Sequence, residues 1–214
     1  MSLKSLVQIV LLAALPLSSS GAPGAAATQK SPGAAGYELT RQRYSLPDMT
    51  FVDFDGKRVR LRELLEGEKP VVLNFVYASC TTICPILSAT FAKAYQLFAA
   101  AGEAVRFVSV SIDPEQDTPE QLKKYAAKFK AGENWTFLTG EVQAAEALQR
   151  AFGTFRGNKA NHPSVILIHT RPGDEWVRLE GVIPAAAVLE QYRQARGSAS
   201  GTARPGTEAV PASH

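Results

Sequence analysis

Val71-Val72-Leu73-Asn74-Phe75-Val76-Tyr77-Ala78-Ser79-Cys80-Thr81-Thr82-Ile83-Cys84-Pro85 carries an apolar run of strand length straight into the only two cysteines of the 214-residue chain. Pro85 then opens a stretch in which Leu87, Phe91, Ala94, Tyr95 and Phe98 recur at three- and four-residue intervals, the spacing of one helix face. Both sulfurs therefore lie on a strand-to-helix turn. The first N–H groups of a helix are unsatisfied and carry partial positive charge, which favours a nearby thiolate. A thiolate is the nucleophilic and metal-binding form of cysteine. Proline suits the first helical position and drives the residue before it out of helical geometry, so Cys84 is expected to cap the helix and Cys80 to lie in the loop. The two thiols can then converge on one metal or form one disulfide. A permanent staple is the plainer alternative, but a disulfide closing so short a loop removes little unfolded-state entropy.

Working outward, residues 51–61 read as a hairpin turning at Asp55-Gly56. Residues 105–112 read as a second strand ending at Asp113-Pro114, and Thr118-Pro119-Glu120-Gln121 has the cap, first-position proline and third-position glutamine of a helix start. A helix to about residue 130 gives way to a short strand over 135–139 and a helix over 142–152. Residues 164–169 and 175–179 form a further pair of strands, and 184–195 a closing helix. Strands alternating with helices predict a layered α/β sheet with antiparallel additions where hairpins occur. A thioredoxin-like arrangement, with a central mixed sheet flanked by helices and an added N-terminal β-hairpin, satisfies this order.

The chain begins with an export signal in its composition: Lys4, an apolar stretch over 6–17, then small residues to Ala27. That apolar stretch is short against the roughly 20 residues of a spanning helix, so residues 1–27 are expected to be a cleaved signal, with retention as an anchor the alternative. No cysteine follows it to carry a lipid. Residues 28–45 read as a Pro/Gly/Ala-containing linker, 46–196 as the folded domain, and 197–214 as a disordered tail too poor in large apolar residues to pack. A formal charge of +3, falling to +2 without Lys4, leaves no nucleic-acid or anionic-membrane footprint. Membrane contact is expected only through an uncleaved N-terminal segment. An exported location, periplasmic by preference, lets a cysteine pair cycle or become disulfide-bonded.

Taken together, Cys80-Thr81-Thr82-Ile83-Cys84-Pro85, the loop Ser111-Ile112-Asp113-Pro114-Glu115-Gln116-Asp117-Thr118-Pro119 and the downstream His162 resemble the Sco/SenC family, copper-handling proteins of thioredoxin fold that serve cytochrome c oxidase assembly. The resemblance spans Asp53 to Gly181 and implies a copper site built from Cys80, Cys84 and His162. It implies a metallochaperone whose partner is a cytochrome c oxidase subunit or another cuproprotein. Soft thiolates select Cu(I), imidazole also suits Cu(II), and a trigonal sulfur-and-nitrogen set can hold either state. Two positions depart from the family's usual pattern. Thr81-Thr82 stands where Pro-Asp is common, removing an acidic group beside the sulfurs, and Asn161 stands where an aspartate could have oriented the imidazole.

Pro163 supports a rival reading. Thioredoxin-fold oxidoreductases resemble one another in a cis-proline just before a core strand, and Pro163 directly precedes Ser164-Val165-Ile166-Leu167-Ile168. On that reading Cys80 and Cys84 are a redox pair that reduces client cysteines before metal loading, itself recharged by a thiol reductant protein. Against it, such reductases carry two residues between their cysteines, not three. A thiol peroxidase using Cys80 fits the fold, but no supporting polar set is assignable around the sulfur. His169 is expected at a strand edge, His214 in the tail, Asp113 at a strand end ordering its turn, and Trp135 and Trp176 in the core.

Overall fold

The computed structural model describes residues 29–32, 36–79 and 84–200. Within them, nine strands make one sheet: β1 (Gln29–Pro32), β2 (Tyr37–Gln42), β3 (Thr50–Asp53), β4 (Arg58–Arg60), β5 (Val71–Val76), β6 (Arg106–Ser111), β7 (Trp135–Thr139), β8 (Val165–His169) and β9 (Trp176–Gly181). The helices are α1 (Leu61–Leu65), α2 (Cys84–Ala100), α3 (Pro119–Lys128), α4 (Val142–Ala151) and α5 (Ala185–Ser200), with one 3-10 turn over Lys159–Asn161. The lateral order is β1-β2-β9-β8-β5-β6-β7-β3-β4. β5 lies in the middle, parallel to β6 on one side and antiparallel to β8 on the other.

Strand β5 is an uninterrupted apolar run because it is buried on both faces. Val72 and Val76 join Phe91, Ala94 and Phe98 of α2, Leu122 and Tyr125 of α3, and Val188 and Tyr192 of α5. Val71, Leu73 and Phe75 point the other way, joining Leu61 and Leu65 of α1, Leu148 of α4 and the neighbouring Phe152. Phe91, Ala94, Tyr95 and Phe98 of the predicted helix face of α2 pack in or against the core while Leu87 is only half-buried, and Phe91 meets Phe107 and Trp135 edge-on at 5.0 and 5.3 Å. Asn74, the one polar residue of β5, accepts from Ser109 Oγ at 2.7 Å, and Ser109 Oγ accepts from Trp135 Nε1 at 2.9 Å. That chain pairs the buried polar atoms that would otherwise be costly.

The hairpin turns where expected, with Gly56 at φ +82° and Asp53 Oδ1 accepting from the amides of Asp55 and Lys57. Thr118 caps α3 by accepting from the Gln121 amide at 3.3 Å. Trp135 and Trp176 are both core residues, and His169 is buried with its ring stacked on Trp176 at 4.5 Å.

Two boundaries need correction, and one element is added. Residues 28–45 are not simply a linker: β2 pairs with β9 over Tyr37–Gln42, and β1 pairs in turn with β2. Local composition hides this because the strand is selected by the open edge of β9. Gly181, at φ +119°, lets the chains meet there, since a Cβ on it would lie 2.9 Å from the Gly36 carbonyl oxygen. The tail begins later than residue 197, because α5 continues through Ser200, with Ser198 Oγ donating to the Gln194 carbonyl at 2.8 Å. The short helix α1 follows the hairpin directly and was not anticipated; its Leu61 and Leu65 are anchored in the core. The expected signal at 1–27 and the tail beyond residue 200 lie outside the described residues. Among the described residues, no helix is long and apolar enough to cross a membrane.

Phe91→Ala is expected to cost about 3–5 kcal/mol, the usual range for emptying a fully buried aromatic site. Chemical denaturation of the two proteins measures it.

Candidate metal centre

Because β5 runs parallel to β6 and antiparallel to β8, the segments leaving β5 and β6 and the one entering β8 meet at one end of the sheet. These are residues 77–79, which follow β5 in the chain toward Cys80, the Asp113–Asp117 loop and the loop that carries His162. Cys80 and residues 81–83 lie outside the described residues, as does the Cys84 side chain; the backbone of Cys84 is the first residue of α2. The predicted cap is therefore already in the first helical turn.

His162 follows the 3-10 turn, which Asn158 caps by accepting from the Ala160 amide at 2.9 Å. The His162 amide itself donates to the Lys159 carbonyl at 3.2 Å. Its ring packs edge-on against Phe75 with centroids 5.5 Å apart, which ties the imidazole to the last turn of the pleat of β5. Nδ1 is buried and has no hydrogen-bond partner among the described residues. Asn161, the substitute for an orienting carboxylate, is solvent-exposed, so ring packing rather than a side-chain hydrogen bond from that neighbour restrains the imidazole. Burial first, and then the positive charges of Arg156 and Arg178, push the His162 pKa down to about 4. The ring is therefore neutral at ordinary pH, the protonation state that a metal requires.

Two further residues shape this end of the molecule. Asp113 is buried and accepts from Lys159 Nζ at 2.7 Å, joining the loop after β6 to the turn before His162. This hydrogen bond raises the Lys159 pKa. Lys159 Nζ also lies 5.0 Å from the centroid of the Tyr77 ring. An open cleft of about 450 Å³, lined in part by Asp113, Glu146, Arg156, Lys159 and His162, leads to the imidazole from outside. The sequence points to Asp113 as a turn-ordering residue, with support of the site or contact with a partner as the alternative, and gives no signal for Lys159, whose partner lies 46 residues away. Among the described residues no group of three or more His, Cys, Asp and Glu side chains is placed to hold a metal. The described part of the site thus contributes one nitrogen donor, and Cys80 and Cys84 remain expected ligands.

Pro163 does not have the cis geometry weighed from the sequence, since no peptide bond among the described residues is cis. The likeness to cis-proline oxidoreductases loses that support.

The architecture and a half-buried histidine in the loop that enters β8 define a class. The chain belongs to the SCO1/SenC family, whose model matches residues 38–172. It is similar to the SCO1 protein homolog of Bacillus subtilis (strain 168), 41% identical over 102 residues, which are 47% of this chain and 52% of that protein. It is also similar to a protein of Stutzerimonas stutzeri named for copper binding, 32% identical over 116 residues, 54% of each chain. The chain spans about half the length of these curated relatives. The solved structure of BsSco, a member of the Sco family of cytochrome c oxidase assembly proteins in which a disulfide switch was identified, superposes with a TM-score of 0.61 at 30% identity, covering 71% of this chain and 93% of that one. The fold is thioredoxin-like, a mixed sheet flanked by helices.

The pH dependence of stability follows from His162. The unfolded imidazole titrates near 6.5 and the folded one at about 4. Between these values the unfolded chain binds more protons, so stability is lost as pH falls through this window and is unaffected by this group above it. His162→Gln is expected to flatten that part of the profile, measured by urea unfolding across the same window.

Proposed function

We propose that this chain is an exported copper-binding metallochaperone that holds copper through Cys80, Cys84 and His162 and delivers it to a cytochrome c oxidase subunit or a related cuproprotein. The observation that carries this reading is the His162 imidazole: neutral, with a buried Nδ1 that has no partner among the described residues, at the end of the sheet where β5 ends. A buried polar atom without a partner is costly unless something satisfies it, and a neutral imidazole nitrogen is a suitable copper donor. The start of α2 at Cys84 adds the positive end of a helix dipole, which favours the thiolate there. Membership in the family and the Stutzerimonas stutzeri relative named for copper binding support the same cargo.

Copper is the cargo, and release proceeds by ligand exchange, with the recipient's donors replacing those of this chain. The cleft beside His162 supports an approach from that side. Phe75 shields one side of the ring from water, and burial keeps the imidazole from competing for protons.

A second reading is favoured by the disulfide switch of BsSco. Here the Cys80 and Cys84 thiols are oxidised to one disulfide while a client disulfide is reduced to two thiols, so two electrons and two protons pass to the client. The two roles are compatible, because only the dithiol form offers two thiolates to copper.

Anaerobic titration of the reduced chain with Cu(I) against a competing chelator tests the first reading. One tightly held copper is expected in the wild type, with retention lost in Cys80→Ala, Cys84→Ala and His162→Ala. Unchanged stoichiometry and affinity in His162→Ala overturns the ligand set.

A further inference from the structure

The loop after β6 contains a second buried carboxylate, Asp117, only 1% exposed. The loop closes on itself through the amides of Gln116 and Asp117, which donate to the Asp113 carbonyl at 3.0 and 2.9 Å. Ser111, the last residue of β6, braces it from below. Its Oγ accepts from the Asp113 amide at 3.0 Å and donates to Asp117 Oδ2 at 2.6 Å. The same Oδ2 accepts from the Ala78 amide at 3.1 Å.

That last contact crosses from one loop to another. The β5 ladder ends at Val76, paired with Ser111, and the Ile112 amide donates to the Val76 carbonyl at 2.9 Å. Ala78 is two residues beyond the end of β5 and two before Cys80, where no strand partner guides the chain. Its N–H is nevertheless fixed by an oxygen that is itself fixed by Ser111. Burying a carboxyl group is costly, and burial is the main influence raising the Asp117 pKa, so its place here needs compensation from the groups it binds.

We propose that Asp117 is a positioning residue for the cysteine loop: by seating the Ala78 amide on an oxygen that Ser111 holds in turn, it sets the path on which the chain leaves β5 for Cys80. The consequence for copper rests on the metallochaperone reading; the consequence for the thiols does not. Asp117 acts through the backbone, so its effect lies in where the sulfur is delivered. Both hydrogen bonds fall on Oδ2, and the carbonyl oxygen of an asparagine can accept both without the charge. Asp117→Asn and Asp117→Ala therefore separate placement from electrostatics.

The test uses the full reduced chain in four forms: wild type, Asp117→Asn, Asp117→Ala and, as a destabilised control outside the loop, Val188→Ala in the core face of α5. Native-state alkylation of Cys80 and Cys84 by iodoacetamide, read residue by residue by mass spectrometry, is measured beside Cu(I) retention against a chelator. Asp117→Ala is expected to change the Cys80 alkylation rate and to weaken copper retention by about 10–100-fold, the usual effect of removing an outer support of a metal site. Asp117→Asn should stay close to wild type, and Val188→Ala should alter neither readout. An alanine variant that matches wild type in alkylation overturns the proposal, as does an asparagine variant that moves as far as alanine. If the wild type holds no copper, the metallochaperone reading falls, and the contrast in alkylation between alanine and asparagine alone decides the role of Asp117.

Discussion

Strand β5 has hydrogen-bonded neighbours on both edges and apolar layers on both faces, and the rest of the structure depends on that confinement. A strand held this way cannot slip, because a shift of one residue would exchange its two buried faces and place Asn74 where an apolar side chain is needed. The end of β5 is thereby a defined point in space. Parallel pairing with β6 and antiparallel pairing with β8 then bring two chain exits and one chain entry to that point. The neighbourhood of the cysteine turn is a consequence of strand direction before any residue of the turn is considered.

At that end of the sheet, packing gives way to polar contacts. Among the described residues, the contacts that link the segments there include Asp117 to Ala78, Asp113 to Lys159, and the edge of Phe75 against His162. These differ in kind. The Asp113–Lys159 pair is half in water, with the lysine side chain 43% exposed, so its Coulomb attraction is partly screened. The Asp117 contacts are buried, which makes their geometry more demanding and the loss of either partner more costly. His162 is different again: its restraint is steric, and its Nδ1 has no hydrogen-bond partner among the described residues. On the proposed metallochaperone reading, copper needs a donor held in place without being consumed by an internal hydrogen bond, and a packed ring would meet that requirement.

Much of the layout was legible in the chain because it is local. The run 71–76 could only be a buried strand, the 3.6-residue spacing after Pro85 gave the core face of α2, and Thr118-Pro119 marked the start of α3 by cap chemistry. What escaped notice was set by distant partners. Residues 37–42 have unremarkable strand composition and become β2 because β9 offers an open edge. Lys159 looks like any exposed loop lysine until Asp113 meets it, and Asp117 looks like a helix-preceding turn residue until the Ala78 amide arrives from 39 residues earlier. Pro163 invited a cis assignment by analogy of position, and the peptide is trans.

By itself, then, the sequence determined the alternation of strands and helices, the strand-to-helix turn that bears Cys80 and Cys84, and the family to which that turn and His162 point. Those features rest on short-range physics, on side-chain periodicity, caps and the stiffness of proline. Only the tertiary structure decided that His162 is neutral and lacks a partner at Nδ1 among the described residues, that β1 and β2 extend the sheet, and that Asp113 and Asp117 reach toward two different loops. Burial and long-range hydrogen bonds are properties of the surroundings that the fold assembles, and no window of sequence contains them.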